Sequence, residues 1–317
     1  MTAIGRILAV IPLAFALSCA TGAAPEARRL EADARVARVA AEDLERAELF
    51  EDARRAFRAL RTADPNDLDA LRREIRLTTK AEDIAAVLDE LTAADDDPRL
   101  RARRLGLASE LAIPAAERRA LLDEALKLDP SAGTAHIAAA LAEEEIGEFD
   151  RAAAHWRLAL SDPGTEKEAL RGLSIRLVKR EAFDEAKDLL HRYLDLVPTD
   201  ARACFDLGTI YLEHKNDVPN AYRWLGEALR LGATDAETLS NYSVACAQSG
   251  EIAEAYESLL RAKLASPKDP DIYYNLAVLS AEHRKDRATA VACFEIYLKL
   301  GGADVKRVER WIAELRN

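Results

Sequence analysis

The apolar positions of this chain follow a helical period almost from end to end, and the pattern is clearest between Ala236 and Asp269. Leu239, Tyr242, Ser243 and Cys246 recur three and four residues apart, which places them on one face of a helix. Ser249-Gly250-Glu251 interrupts the stripe as a turn. Ala255, Leu259 and Ala262 define a second stripe, which Pro267 stops. The layout recurs at intervals near 34 residues, in eight units: 34–67, 68–98, 99–132, 133–166, 167–200, 201–235, 236–269 and 270–303. The unit 68–98 is degenerate, with Leu71 and Ile75 on one helix and Ile84, Val87, Leu88 and Leu91 on the next. Units 201–235 and 270–303 carry an extra residue in the turn.

Two columns of this repeat have a packing meaning. Gly106, Ala140, Ser174, Gly208, Ser243 and Ala277 share one position on the first helix, and only small side chains let two helices approach closely there. They are expected to meet the Ala column of the second helix. Phe57, Trp156, Leu190, Leu259 and Phe294 share a position on the second helix and are expected to fill the space between neighbouring pairs. Together the columns resemble the tetratricopeptide repeat: a Leu-small pair and an aromatic residue on the first helix, then Ala, a bulky residue and Pro on the second. The resemblance implies an all-α, right-handed α-solenoid of helix pairs. Gly301-Gly302 ends the last pair, and residues 304–317 read as a capping helix with Val305, Val308, Trp311, Ile312 and Leu315 on one face.

Composition narrows the functional classes. Charged residues make up 32% of the chain and aromatics 6%, with 13 Gly and 11 Pro, which suits exposed helices more than loops. The net charge of −11 argues against nucleic acid as a partner, because phosphate binding needs a basic surface. No phosphate loop, H-E-x-x-H pair or G-x-S-x-G elbow occurs, so no enzyme, cofactor, metal or small-molecule substrate is expected. Asp95-Asp96-Asp97-Pro98 lacks the alternating ligands and distal Glu of a calcium loop. His214 and His283 hold equivalent places two repeats apart, too far to share a metal, and are expected as solvated helix-end residues. Cys204, Cys246 and Cys293 fall within helices and are expected to be inert core thiols.

The first residues read as a targeting segment. Arg6 is the one charge in 1–18, and Ile7 to Leu17 is an apolar core too short to span a bilayer. Ala16-Leu17-Ser18-Cys19-Ala20 resembles a bacterial lipoprotein signal, which implies lipidation of Cys19, a tether over 19–33 and a periplasm-facing site at the outer membrane. The alternative is ordinary cleavage after Ala20, giving a soluble periplasmic or secreted protein.

In tetratricopeptide proteins the first helices line a concave surface that holds extended peptides. By resemblance the inward positions include Ile137, Leu141, Arg171, Ile175, Phe205, Asp206, Thr209, Ser240, Asn241, Val244, Tyr274, Asn275 and Val278. Asn241 and Asn275 occupy the same place in successive repeats, and an amide there can pair with a peptide backbone without reading its side chains. Asp206, Glu237 and Asp271 lie nearby, which argues against a clamp for an acidic peptide terminus. Phe205 and Tyr274 are candidate anchors for an apolar side chain. The expected function is a non-catalytic, lipid-anchored scaffold that helps assemble an envelope machine for pili, outer-membrane protein insertion or polysaccharide export. The alternative is a soluble adaptor that recruits or regulates an envelope enzyme.

Overall fold

The computed structural model describes residues 24–64, 67–93 and 97–316. The expected signal segment, Cys19, Ala20, Pro65, Asp95 and Asp96 lie outside the described residues. Every described element is helical, and no strand occurs among them. The chain divides between Ala169 and Leu170 into two compact units.

The first unit begins with α1 (Ala24–Arg46) and α2 (Phe50–Ala63). Then follow α3 (Leu68–Leu77), α4 (Ala81–Thr92), α5 (Pro98–Ala108), α6 (Ala115–Leu128), α7 (Gly133–Glu145) and α8 (Phe149–Ala159). Short turns join them; α1 packs on α2, α2 on α3, α5 on α6 and α7 on α8, while α3 and α4 both pack against α5 rather than mainly on each other. The stretch from Ala24 to Asp33, expected as tether, belongs to α1. Its Ala, Arg and Glu residues have high helix propensity and no Gly or Pro interrupts them after Pro25, which explains the difference. The degenerate region is packed: Leu71, Ile75, Val87 and Leu91 are buried in one cluster with Leu105, Leu107 and Leu122.

The boundary falls within α9 (Glu166–Lys179), and the second unit continues with α10 (Phe183–Leu196), α11 (Ala201–Thr209), α12 (Val218–Arg230), α13 (Ala236–Ser249), α14 (Ile252–Ala265), α15 (Pro270–Glu282), α16 (Arg287–Lys299) and α17 (Val305–Arg316). The extra residue of 201–235 is absorbed by a π turn at Ile210–His214, where the Lys215 N–H reaches back to the Ile210 carbonyl. A single inserted residue in a helix commonly produces such a turn. The terminal helix α17 buries Val308 and Ile312, and its Trp311 ring lies 5.6 Å from that of Phe294.

Aspartates start many of these helices. Asp67, Asp97, Asp200, Asp235 and Asp269 accept backbone N–H bonds at the first turns of α3, α5, α11, α13 and α15. Asp217 and Asp286 do the same for α12 and α16. Each cap is worth about 1 kcal/mol and satisfies donors that the helix leaves open. Gly133, at the start of α7, is served from a distance: its N–H donates to the buried Asp162 carboxylate at 3.0 Å, which also accepts from Gly164 and Arg103.

The small column behaves in two ways. A Cβ on Gly208 would lie 2.9 Å from the Leu225 nitrogen, so this residue does meet the second helix, α12. Gly106 instead abuts the backbone of α7: a Cβ there would lie 2.5 Å from the Ala135 nitrogen and 2.8 Å from its Cα. The expected second-helix contact is therefore replaced at Gly106 by contact with the next first helix. The bulky column is buried as expected, with Phe57, Trp156, Leu190, Leu259 and Phe294 all at 3% exposure or less.

Charge is also buried in the first unit. Glu74 is fully buried and accepts from Arg58 Nε at 2.6 Å and Arg61 Nε at 2.8 Å. Arg61 continues to Glu90 through two bonds of 2.7 and 2.9 Å, tying α2 to α3 and α4. Burial alone would lower the Arg61 pKa, but the bonds to Glu90 and Glu74 outweigh it and raise it.

Gly106→Ala tests the close approach. Helix propensity alone favours Ala by about 1 kcal/mol. Because the clash is with backbone, the substitution should instead destabilise the protein by about 1–3 kcal/mol in chemical denaturation. A gain in stability would contradict the packing described.

Candidate functional site

On the first helices of the second unit, helical spacing aligns several of the expected positions. Positions 202, 206 and 209 on α11 are spaced for one side of a helix, as are 237, 241 and 244 on α13 and 271, 275 and 278 on α15. Arg171, Ile175, Asp206, Thr209, Ser240, Asn241, Val244, Tyr274, Asn275 and Val278 are all half-buried.

Adjacent helices are joined across this face by polar bonds. Arg171 Nη1 donates to Asp206 Oδ2 at 2.8 Å and lies 3.5 Å from Asp200. Arg202 Nε holds the other oxygen of Asp206 at 3.2 Å, and its Nη1 reaches Glu237 at 3.5 Å. Asn241 Nδ2 donates to Thr209 Oγ1 at 3.2 Å, and Asn275 Nδ2 donates to Ser240 Oγ at 3.5 Å. Each asparagine thus uses one N–H on the preceding first helix. Its second N–H and its carbonyl oxygen take no bond from the described protein, which leaves both kinds of partner that an extended backbone needs.

Two expected positions are corrected. Phe205 is 3% exposed and lies beneath the Arg202 guanidinium, 4.4 Å from the ring centroid, so it is not an open anchor. Ile137, in the first unit, is fully buried. In both cases one step of helical phase turns an inward residue into a core residue. Tyr274 remains half-buried, but its ring belongs to an aromatic cluster with Phe294, Tyr297 and Trp311 at centroid distances of 5.4–6.1 Å.

The thiols are buried, and burial pushes Cys204 up to about 11 and Cys246 up to about 12, with nearby acids adding to it; burial also raises Cys293. Neutral buried thiols are poor nucleophiles. No group of three or more His, Cys, Asp or Glu residues that could hold a metal occurs among the described residues. His214 stacks on Phe183 with centroids 3.5 Å apart.

Three arrangements were not evident from the sequence. An open cavity of 320 Å³ lies among Leu194, Asp195, Pro198, Arg223, Trp224 and Glu227, on the second helices α10 and α12 rather than on the asparagine face. His191 Nε2 and the Tyr211 hydroxyl are 2.8 Å apart, a contact placed by the π turn. His136 and His155 also meet, Nδ1 to Nδ1 at 3.0 Å. His136 Nε2 faces the Pro130 carbonyl at 3.0 Å; a carbonyl only accepts, so Nε2 carries the hydrogen. In the neutral ring Nδ1 then accepts, and His155 donates. The two residues sit on consecutive helices of one repeat, α7 and α8.

Burial and then the neighbouring His136 lower the His155 pKa, with Arg151 acting in the same direction and Glu143 against it. The unfolded chain therefore takes up this proton first as pH falls below about 6.5. Stability should decline from that point downward until the folded residue also protonates. His155→Gln keeps a donor for His136 and should flatten the fall in melting temperature between pH 7 and 5. An unchanged slope would remove His155 as a contributor.

No protein-family model matches the sequence, and no curated protein matches it. Solved structures do resemble the fold. A chain of the APC/C Cut9–Hcn1 hetero-tetramer matches with a TM-score of 0.51 and 18% identity, over 84% of this chain and 53% of that one. This protein therefore spans about half the length of that relative. YrrB, described as a TPR protein with an unusual peptide-binding site, matches with a TM-score of 0.53 and 21% identity, over 58% of this chain and 94% of that one. The pilF protein of Pseudomonas aeruginosa matches with a TM-score of 0.51 and 20% identity, over 69% of this chain and 98% of that one. At such identities the likeness is one of fold, and the fold is a tetratricopeptide-like repeat of paired helices.

Proposed function

We propose that this protein is a non-catalytic adaptor that holds an extended peptide segment of a partner protein against α11, α13 and α15. The observation that carries the reading is the pair Asn241 and Asn275. They stand at one position of successive repeats, half-buried, each with a donor and an acceptor left open beside the bond that fixes its orientation. Half-burial strengthens such bonds, because water competes less for the groups. Val244 and Val278, one turn further along, offer apolar contact beside the amides. The likeness to YrrB supports a peptide-binding use of the fold, and the low reactivity expected of the buried thiols supports a non-catalytic one.

The targeting segment supports placement outside the cytoplasm, as a soluble periplasmic adaptor. Among the described residues no helix is long and apolar enough to cross a membrane. A second reading rests on Leu17-Ser18-Cys19-Ala20: lipidation of Cys19 would hold the same adaptor at the outer membrane, as part of an envelope assembly.

Partner capture from a detergent-solubilised envelope extract tests the proposal. Asn241→Ala combined with Asn275→Ala should leave circular dichroism unchanged and reduce capture at least tenfold, given about 1–1.5 kcal/mol for each bond lost. Equal capture by the double variant would move the binding site elsewhere. Cys19→Ala run beside it separates the two placements: loss of the protein from the membrane fraction supports the anchor, and recovery of wild type and variant alike in the soluble fraction supports the soluble adaptor.

A further inference from the structure

We infer that the peptide held on the α11–α13–α15 face is a basic one, with Lys or Arg side chains directed at α13 and α15. The inference rests on the adaptor reading and adds the chemistry of the partner. It starts from the distribution of charge along equivalent positions. Arg202, Glu237 and Asp271 occupy one column at spacings of a single repeat, and Arg171, Asp206, Asn241 and Asn275 occupy the next. Along both columns positive charge is confined to the α9 and α11 end.

Lys167 begins the first of these columns and is exposed; the two arginines that follow it, on α9 and α11, are already occupied. Arg171 is held by Asp206 and Asp200, and Arg202 by Asp206 and Glu237. Neither is free to receive an acidic ligand without breaking a bond to a half-buried partner. The sequences of α13 and α15 contain no Lys or Arg at all; their charged residues are Glu237, Asp271 and Glu282. All three are exposed, and Asp271 and Glu282 carry no ion pair among the described residues. Asp271 lies four residues before Asn275 and Glu282 seven residues after it, so helical periodicity puts them on the asparagine side of α15. Glu237 stands in the same relation to Asn241.

The amides and the acids therefore divide the work of recognition. Asn241 and Asn275 can bond a backbone of any sequence, while Glu237, Asp271 and Glu282 set the sign of the side chains beside it. An acidic segment would bring like charges together at both ends of α15. A basic segment would find unpaired carboxylates on either side of its bonded backbone, an arrangement that favours encounter as well as specificity.

Two labelled twelve-residue peptides test this by fluorescence anisotropy with the full chain: repeats of Ala-Thr-Lys, and the same peptide with Glu in place of Lys. At low salt the Lys peptide should bind at least about tenfold more tightly, and the difference should shrink in 0.5 M salt. Glu237→Lys combined with Asp271→Lys should abolish or reverse the preference. Glu257→Lys with Glu309→Lys makes the same change in net charge at exposed positions off this face, and should leave most of the preference intact. An equal effect of the two double variants would overturn the inference, since bulk charge would then explain it; so would tighter binding of the Glu peptide. Asn241→Ala with Asn275→Ala should weaken both peptides alike. If those asparagine substitutions are silent while the charge preference persists, the asparagine reading fails and the charge assignment stands; the opposite pattern fails the charge assignment alone.

Discussion

Close approach between helices at small side chains is the constraint on which the remaining structure depends. Gly106 leaves no room for even a methyl group against the α7 backbone, and Gly208 leaves little against α12. Ala140, Ser174, Ser243 and Ala277 keep the same position small and buried in four further pairs. Once the helices are this close, each pair has a single face left to bury, and the bulky residues on the second helices fill it. The aspartate caps act at the same joints. They fix where a helix begins, and therefore which residues of the repeat are exposed and which fall in the core. Repeat proteins derive stability from such nearest-neighbour terms, so an error at one joint is felt mainly by its two neighbours.

The asparagine-bearing face of the second unit inherits its order from that packing. Arg171, Arg202, Asn241 and Asn275 each reach to another first helix, and the bonds are spaced by about one repeat. These contacts contribute modestly to stability, since most involve half-exposed groups. Their larger effect is on orientation: an asparagine with one N–H already bonded presents its remaining groups in a fixed direction. A preoriented polar face needs less ordering when a ligand binds, which lowers the entropic cost of association.

Much of the fold was legible because its signal is periodic. The small and bulky columns recur too often to be accidental, and each has a direct steric meaning. The reading of the candidate face from the sequence went only to the level of helix and column. It failed at Phe205 and Ile137, where neighbouring positions on a helix differ by only 100° and the choice between groove and core depends on what covers each residue. Pairings between helices were not legible. Nothing in the pattern shows that Arg61 links Glu74 to Glu90, that His136 and His155 share a hydrogen, or that an extra residue at 201–235 becomes a π turn. The helical start at Ala24 was obscured because alanine-rich sequence reads equally as tether and as helix.

Photo-cross-linking with the bound partner tests the central claim, that the first helices of the second unit form the binding face. A photoreactive phenylalanine analogue would replace Val244 or Val278 on that face, and in parallel Glu257 or Arg261 on α14. The account predicts cross-links from Val244 and Val278 that exceed those from α14 and that an excess of unlabelled partner removes. Cross-links confined to Glu257 and Arg261 would contradict it and place the partner on the second helices.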